Sequence, residues 1–129
     1  MKIREKCTCP LELVHDMIRG KWKPIILWRL RLGNTSFSSL LKDIEGITEK
    51  MLLEQLKELM EFGFVDKHTY EGYPLRVEYF LTKPNGEKII EALRVMQSIG
   101  IDYFKSNGME QILIDKGIIS TESTLQKSK

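Results

Sequence analysis

The chain has 129 residues, of which 42% are apolar and 29% charged, with a net charge of +2. This length suits one ordinary globular domain, and the composition excludes a disordered or fibrous chain. No apolar run approaches the roughly 18 to 20 residues that cross a bilayer, and Met1 to Pro10 is charged, so neither membrane insertion nor secretion is expected. Cys7 and Cys9 are too close to staple distant segments, which points to a reducing, cytoplasmic setting.

Pro10 suits a first helical turn, and Leu11, Val14, Met17 and Ile18 then recur at helical spacing until Gly20. The pattern predicts a helix from about Pro10 to Arg19. A second helix is expected over Trp22, Ile25, Ile26, Leu27, Leu30 and Leu32, closed by Gly33-Asn34. Ser38 is the expected N-cap of a short helix carrying Leu40, Leu41 and Ile44. After Glu45-Gly46-Ile47, Thr48 caps a longer helix whose apolar stripe is Leu52, Leu56 and Leu59, with Gly63 just past its end. Two helices on so short a turn suggest a helix-turn-helix.

Beyond Gly63 the period changes to that of strands, Phe64 to Tyr70 and Leu75 to Leu81, joined by Glu71-Gly72-Tyr73-Pro74. A two-stranded hairpin follows. Thr82 then caps a helix from about Pro84 to Lys105, apolar on more than one face, which implies a partner and most simply a second copy of the chain. The tail is expected to hold a turn or two of helix around Ile112, Leu113 and Ile114 before a disordered polar end. The fold class is therefore mainly α with a small β-hairpin, an α+β winged helix-turn-helix. Residues 1–9 are assigned to an arm, 10–107 to the winged domain with its dimerisation helices, and 108–129 to a partly disordered extension.

A winged helix would lay the Thr48 to Phe62 helix in the major groove of double-stranded DNA. Setting the leucine stripe inward leaves Thr48, Lys50, Leu53, Glu54 and Lys57 as candidates to touch phosphates and base edges. Lys67, His68 and Arg76 flank the wing tip, where a cation can enter the minor groove or hold phosphate. From Arg19 to Arg31 the cations Arg19, Lys21, Lys23, Arg29 and Arg31 occur with no acid among them. Lys21, Lys23, Ser36 and Ser38 are thus candidates for clamping phosphate, or else merely solubilising lysines and a cap. Glu49, Glu54, Glu58 and Glu61 weaken the electrostatic case and keep open a winged helix that binds proteins rather than DNA.

Cys9-Pro10, Gly20-Lys21-Trp22, Phe37, Leu40, Gly46-Ile47, the three leucines, Gly63, Pro74, Arg76-Val77-Glu78-Tyr79 and Leu81-Thr82 together resemble the HxlR-type regulators of the MarR-like winged-helix group. The resemblance runs from about Cys9 to Tyr103. It implies a dimeric transcription regulator with its fourth helix in the major groove, its wing on the backbone or minor groove, and terminal helices that pair. On that basis the dimer interface is expected at Leu11, Val14, Ile18, Leu93, Met96, Ile99, Tyr103 and Phe104. The chain departs from the family at Arg19, where glycine is common, and at Leu53-Glu54, so its operator cannot be borrowed from relatives.

The resemblance also makes Cys9 a redox-sensing candidate, since members of the family sense oxidants through a cysteine before the first helix. A thiol there feels the positive helix end, with Arg4 and Lys6 nearby, although a small buried interface residue is the alternative. This leaves room for an oxidant or small-molecule effector. His15 and His68 belong to different elements with no nucleophile or orienting group recognisable around them, so no enzyme is expected. One C-x-C with a single histidine lacks a zinc ligand set, and isolated glycines make no phosphate loop, so neither metal nor cofactor is expected.

Overall fold

The computed structural model describes residues 8–120. Expectations placed on Arg4, Lys6, Cys7 and the end of the tail fall outside them. The chain divides into two compact units, residues 1–91 and 92–129.

The first unit begins with α1 (Pro10–Met17), which stops short of Arg19, with Ile18 as its C-cap. α2 (Trp22–Leu30) follows, and then β1 (Thr35–Ser36) leads directly into α3 (Phe37–Asp43). The N-cap of α3 is Ser36 and not Ser38: the Ser36 hydroxyl accepts from the Ser39 amide at 3.2 Å. Gly46 turns the chain at φ +87°, a backbone shape that a side chain resists, into α4 (Glu49–Glu61). Thr48 caps α4 as expected, accepting from the Met51 amide at 3.1 Å.

Ile26, Leu27 and Leu30 of α2, Leu40 of α3, and Leu52, Leu56 and Leu59 of α4 form the buried centre. Each such side chain contributes roughly 1.5–3 kcal/mol by leaving water. α2 packs on α4 and on the sheet, so the orientation of α4 is set from behind.

β2 (Val65–Tyr70) and β3 (Arg76–Leu81) form the expected hairpin, with Tyr70 opposite Arg76 and Val65 opposite Leu81. The sheet has a third strand that the sequence pattern did not suggest. β1 pairs antiparallel with β3, Thr35 opposite Tyr79 and Ser36 opposite Glu78, in the order β1-β3-β2. Two residues are too few to display a strand period.

Thr82 ends the hairpin and starts α5 (Asn85–Ser106), donating to the Gly63 carbonyl at 2.5 Å and accepting from the Gly86 amide at 3.1 Å. A Cβ at Gly86 would collide with the Phe64 carbonyl oxygen, so glycine is what lets helix and strand backbones meet there. The second unit holds the rest of α5 and a short α6 (Glu110–Asp115), the turn of helix expected in the tail. No helix among the described residues is long and apolar enough to cross a membrane.

Candidate nucleic-acid interface

Burial of the leucine stripe of α4 fixes what its other side presents. Lys50, Leu53, Glu54 and Lys57 are all exposed there, Leu53 by 57%, along with Glu49 and Glu61. Among the described residues no ion pair engages Lys50 or Lys57. The face therefore offers two ammonium groups and one apolar contact among three carboxylates, groups of the kinds that meet phosphates, a thymine methyl and cytosine N4. Thr48 uses an acceptor lone pair on its own helix and keeps its hydroxyl proton to donate.

The basic run of α2 is a different matter. Lys23 was expected at a phosphate, and this is corrected: the residue is only 3% exposed. Its ammonium donates to Gln55 Oε1 at 2.8 Å and pairs with Glu58 Oε2 at 3.0 Å, bracing α2 against α4 from inside. Partial burial raises the Glu58 carboxyl, but the hydrogen bond and charge of Lys23 oppose it and the net displacement is downward. Arg29 is tied to Asp43 at 2.6 and 2.9 Å, and Arg31 lies 4.2 Å over the Trp28 ring. Lys21 is exposed and stacks 4.4 Å over Trp22, so its ammonium stays on the surface. Ser38 is exposed, whereas the Ser36 hydroxyl is occupied by its cap and by Ser39 Oγ at 3.0 Å.

On the hairpin, alternation puts His68, Tyr70, Arg76 and Glu78 on one face and Lys67 on the other, with Val65 and Tyr79. Lys67, His68 and Arg76 are exposed. The Arg76 guanidinium rests 4.2 Å over the Tyr70 ring, the His68 ring meets Tyr70 edge-on at 4.4 Å, and Tyr70 donates its hydroxyl to Glu78 at 3.0 Å. That hydrogen bond, assisted by desolvation, raises the Tyr70 hydroxyl above its ordinary value near 10, with Arg76 acting the other way.

Tyr70, Gln55 and Glu58 were missed as supporting residues. A signal existed for the brace: Lys23 stands at i with Ile26, Leu27 and Leu30 at i+3, i+4 and i+7, at the head of the buried stripe. Of the residues expected at a dimer interface, Leu11, Met96, Ile99 and Tyr103 are exposed, and Val14, Ile18 and Phe104 are half-buried. Leu93 is buried within the protomer at 5% exposure, a correction to its expected place on a free face. Cys9 is an exposed free thiol at the N-cap of α1 in the protomer.

Residues 17–108 match the family model described as HxlR-like helix-turn-helix. An uncharacterized HTH-type transcriptional regulator of Methanothermobacter thermautotrophicus is 36% identical over 99 residues, 77% of this chain and 75% of that protein. Among solved structures, the redox regulator HypR in its reduced form is similar at TM-score 0.67 and 31% identity, over 77% of this chain and 93% of that one. The reduced form of the regulator YodB from Bacillus subtilis is similar at TM-score 0.64 and 29% identity, over 71% and 90% of the two chains. The chain belongs to the HxlR-like helix-turn-helix family, and is accordingly a transcriptional regulator rather than an enzyme.

Proposed function

We propose that the protein binds a pseudo-palindromic DNA operator as a homodimer, with α4 in the major groove and the wing beside it. The observation that carries this reading is the exposed face of α4, where Lys50, Leu53, Glu54 and Lys57 stand clear on a helix seated by three buried leucines. Thr48, Lys21 and Ser38 supply donors for the backbone, and Lys67, His68 and Arg76 extend the contact along the wing. Half-sites would lie about one helical turn apart, roughly 34 to 36 Å. Support for the dimer comes from α5, where Val95, Met96, Ile99 and Tyr103 are exposed at helical spacing in one stripe.

Fluorescence anisotropy with duplexes from upstream of the protein's own gene, against scrambled DNA and over a salt series, tests the reading. Tight, sequence-selective and salt-sensitive binding is expected. Equal binding to scrambled DNA at every salt concentration would sink it and favour protein partners. Sedimentation of an Ile99→Asp variant tests the pairing, with a dimer turned to monomer as the expected result.

Cys9 is the proposed oxidant-responsive group. Its thiol is exposed and precedes a helix, and structural neighbours include HypR in reduced and oxidised forms. Two thiols would give up two electrons and two protons to an oxidant such as diamide, forming a disulfide between subunits or with a small thiol. Diamide should release wild-type protein from its operator and leave Cys9→Ser bound; release of both equally removes Cys9 from the mechanism.

A further inference from the structure

α2 carries apolar side chains on two opposite sides. Lys23, Ile26, Leu27 and Leu30 are buried on the side that meets α4 and the sheet. A second row, Lys21, Ile25, Trp28 and Leu32, stands at i, i+4, i+7 and i+11 and runs along the other side. The helical path takes in both ends of that row: Lys21 has helical dihedrals, and the Leu32 amide donates to the Arg29 carbonyl at 3.3 Å. Ile25 is 41% exposed, Leu32 is 66% exposed and Trp28 is half-buried. Single apolar side chains at a surface are ordinary, but three in one helical row form a strip whose covering would take all of them out of water. The strip faces away from α4.

Its charge has one sign. Lys21 stands at its head and Arg31 at its foot, both exposed, with Arg29 on its flank and no acid from Arg19 to Arg31. Asp43 approaches Arg29 and is held by it at 2.6 Å. Arg31 lies 4.2 Å over the Trp28 ring and donates to the Trp28 carbonyl at 2.7 Å, which fixes a cation against the apolar strip. These cations decide what can cover it. A two-fold contact between copies of α2 would set Lys21, Arg29 and Arg31 against themselves, which like-charge repulsion opposes. A DNA backbone offers the opposite charge but no apolar surface for Ile25 and Leu32. A helix with carboxylates beside its own apolar row supplies both.

We infer that the outer face of α2 is a docking surface for an acidic amphipathic helix of another protein. The partner's apolar row lies on Ile25, Trp28 and Leu32, and its carboxylates meet Lys21 and Arg31. Lys21 is the residue that this surface shares with the DNA contacts proposed above; α4 and the wing take no part in it.

The test uses the full chain and a fluorescent synthetic helix with leucines at i, i+4, i+7 and i+11 and glutamates beside them, read by anisotropy. A Kd of about 10–100 μM is expected, weakening as salt is added. The same peptide with lysines for its glutamates should bind at least about tenfold more weakly, and Arg31→Glu should narrow that preference. Ile25→Ser/Leu32→Ser changes only exposed residues; it should bind the glutamate peptide about tenfold more weakly and keep the wild-type urea midpoint. No binding of the glutamate peptide, or equal binding of the two peptides, overturns this docking surface, as does a serine variant that binds like wild type. Sedimentation of the serine variant should match wild type. Conversion of a wild-type dimer to monomer by these two serines would show that a second copy covers the strip, and would overturn the acidic partner.

Discussion

Two sets of cations in this molecule meet opposite fates. Those in and beside the second helix are crowded together in the chain with no acid between them, yet Lys23 is buried and Arg29 is spent on Asp43, while the exposed Lys21 and Arg31 stack on tryptophan rings. Those of the fourth helix are diluted among glutamates, yet Lys50 and Lys57 are exposed and without ion pairs among the described residues. Charge density along a sequence is therefore a poor guide to charge offered at a surface. Position relative to the buried stripe is the better one, because it decides which lysine must find its partner inside.

The contrast can be pushed hardest at Lys23. Lys23→Ala removes the donor and the packed stem together and should cost about 2–3 kcal/mol, below the 3–5 typical of breaking a fully buried pair because the Glu58 side chain is 25% exposed. Equilibrium urea unfolding measures it, and a loss under 0.5 kcal/mol would mean that the brace is not a stabilising element. Lys23→Met keeps the stem and loses only the donor, so about 1 kcal/mol is expected. The same pair makes a prediction in pH. Because the Glu58 carboxyl is displaced below its ordinary 4.5 in the folded chain, its contribution is fully present above that value and is lost as pH falls through the folded value. Unfolding curves at neutral pH and near pH 3 should show a smaller acid loss for Glu58→Gln than for wild type. Equal losses would assign acid sensitivity to other carboxylates.

Arg29→Ala should cost less, about 0.5–1 kcal/mol, since both it and Asp43 are partly solvated. Smallest in stability are Lys50→Ala and Lys57→Ala, within about 0.5 kcal/mol of wild type. There the comparison sharpens, because each of these two should lower the salt slope of operator binding by up to about 0.9, while Lys23→Met should leave the slope unchanged. An unchanged slope for both surface lysines would mean that α4 does not meet phosphate.

Much of this arrangement was legible in the chain. The leucines at 52, 56 and 59, the Thr48 cap and the change of period after Gly63 are local signals, and each corresponds to what the chain forms. Nonlocal features were not legible. β1 exists because Thr35 and Ser36 find β3 more than forty residues later, a pairing that no window of sequence contains. Ser36 and Ser38 are both good cap residues, and it is this strand that selects Ser36. The inward place of Lys23 had its signal in the buried stripe, but its acceptors were hidden for a similar reason, since Gln55 and Glu58 take that role only once α4 lies on α2. The support given to Arg76 by Tyr70 also depends on strand register across a turn.

The two-residue strand has a mechanical consequence. Ser36 is at once a rung of the sheet and the cap of α3, so the segment that starts the helix-turn-helix is bonded directly to the second strand of the wing. The first helix of the helix-turn-helix and the wing are thereby tied to each other at this two-residue pairing. Were DNA release under the control of a signal, that signal would have to move α3 and the wing together or break this pairing. Slow amide exchange across Thr35, Ser36, Glu78 and Tyr79 that persists when the signal is applied would identify the first route, and selective loss of protection there would identify the second.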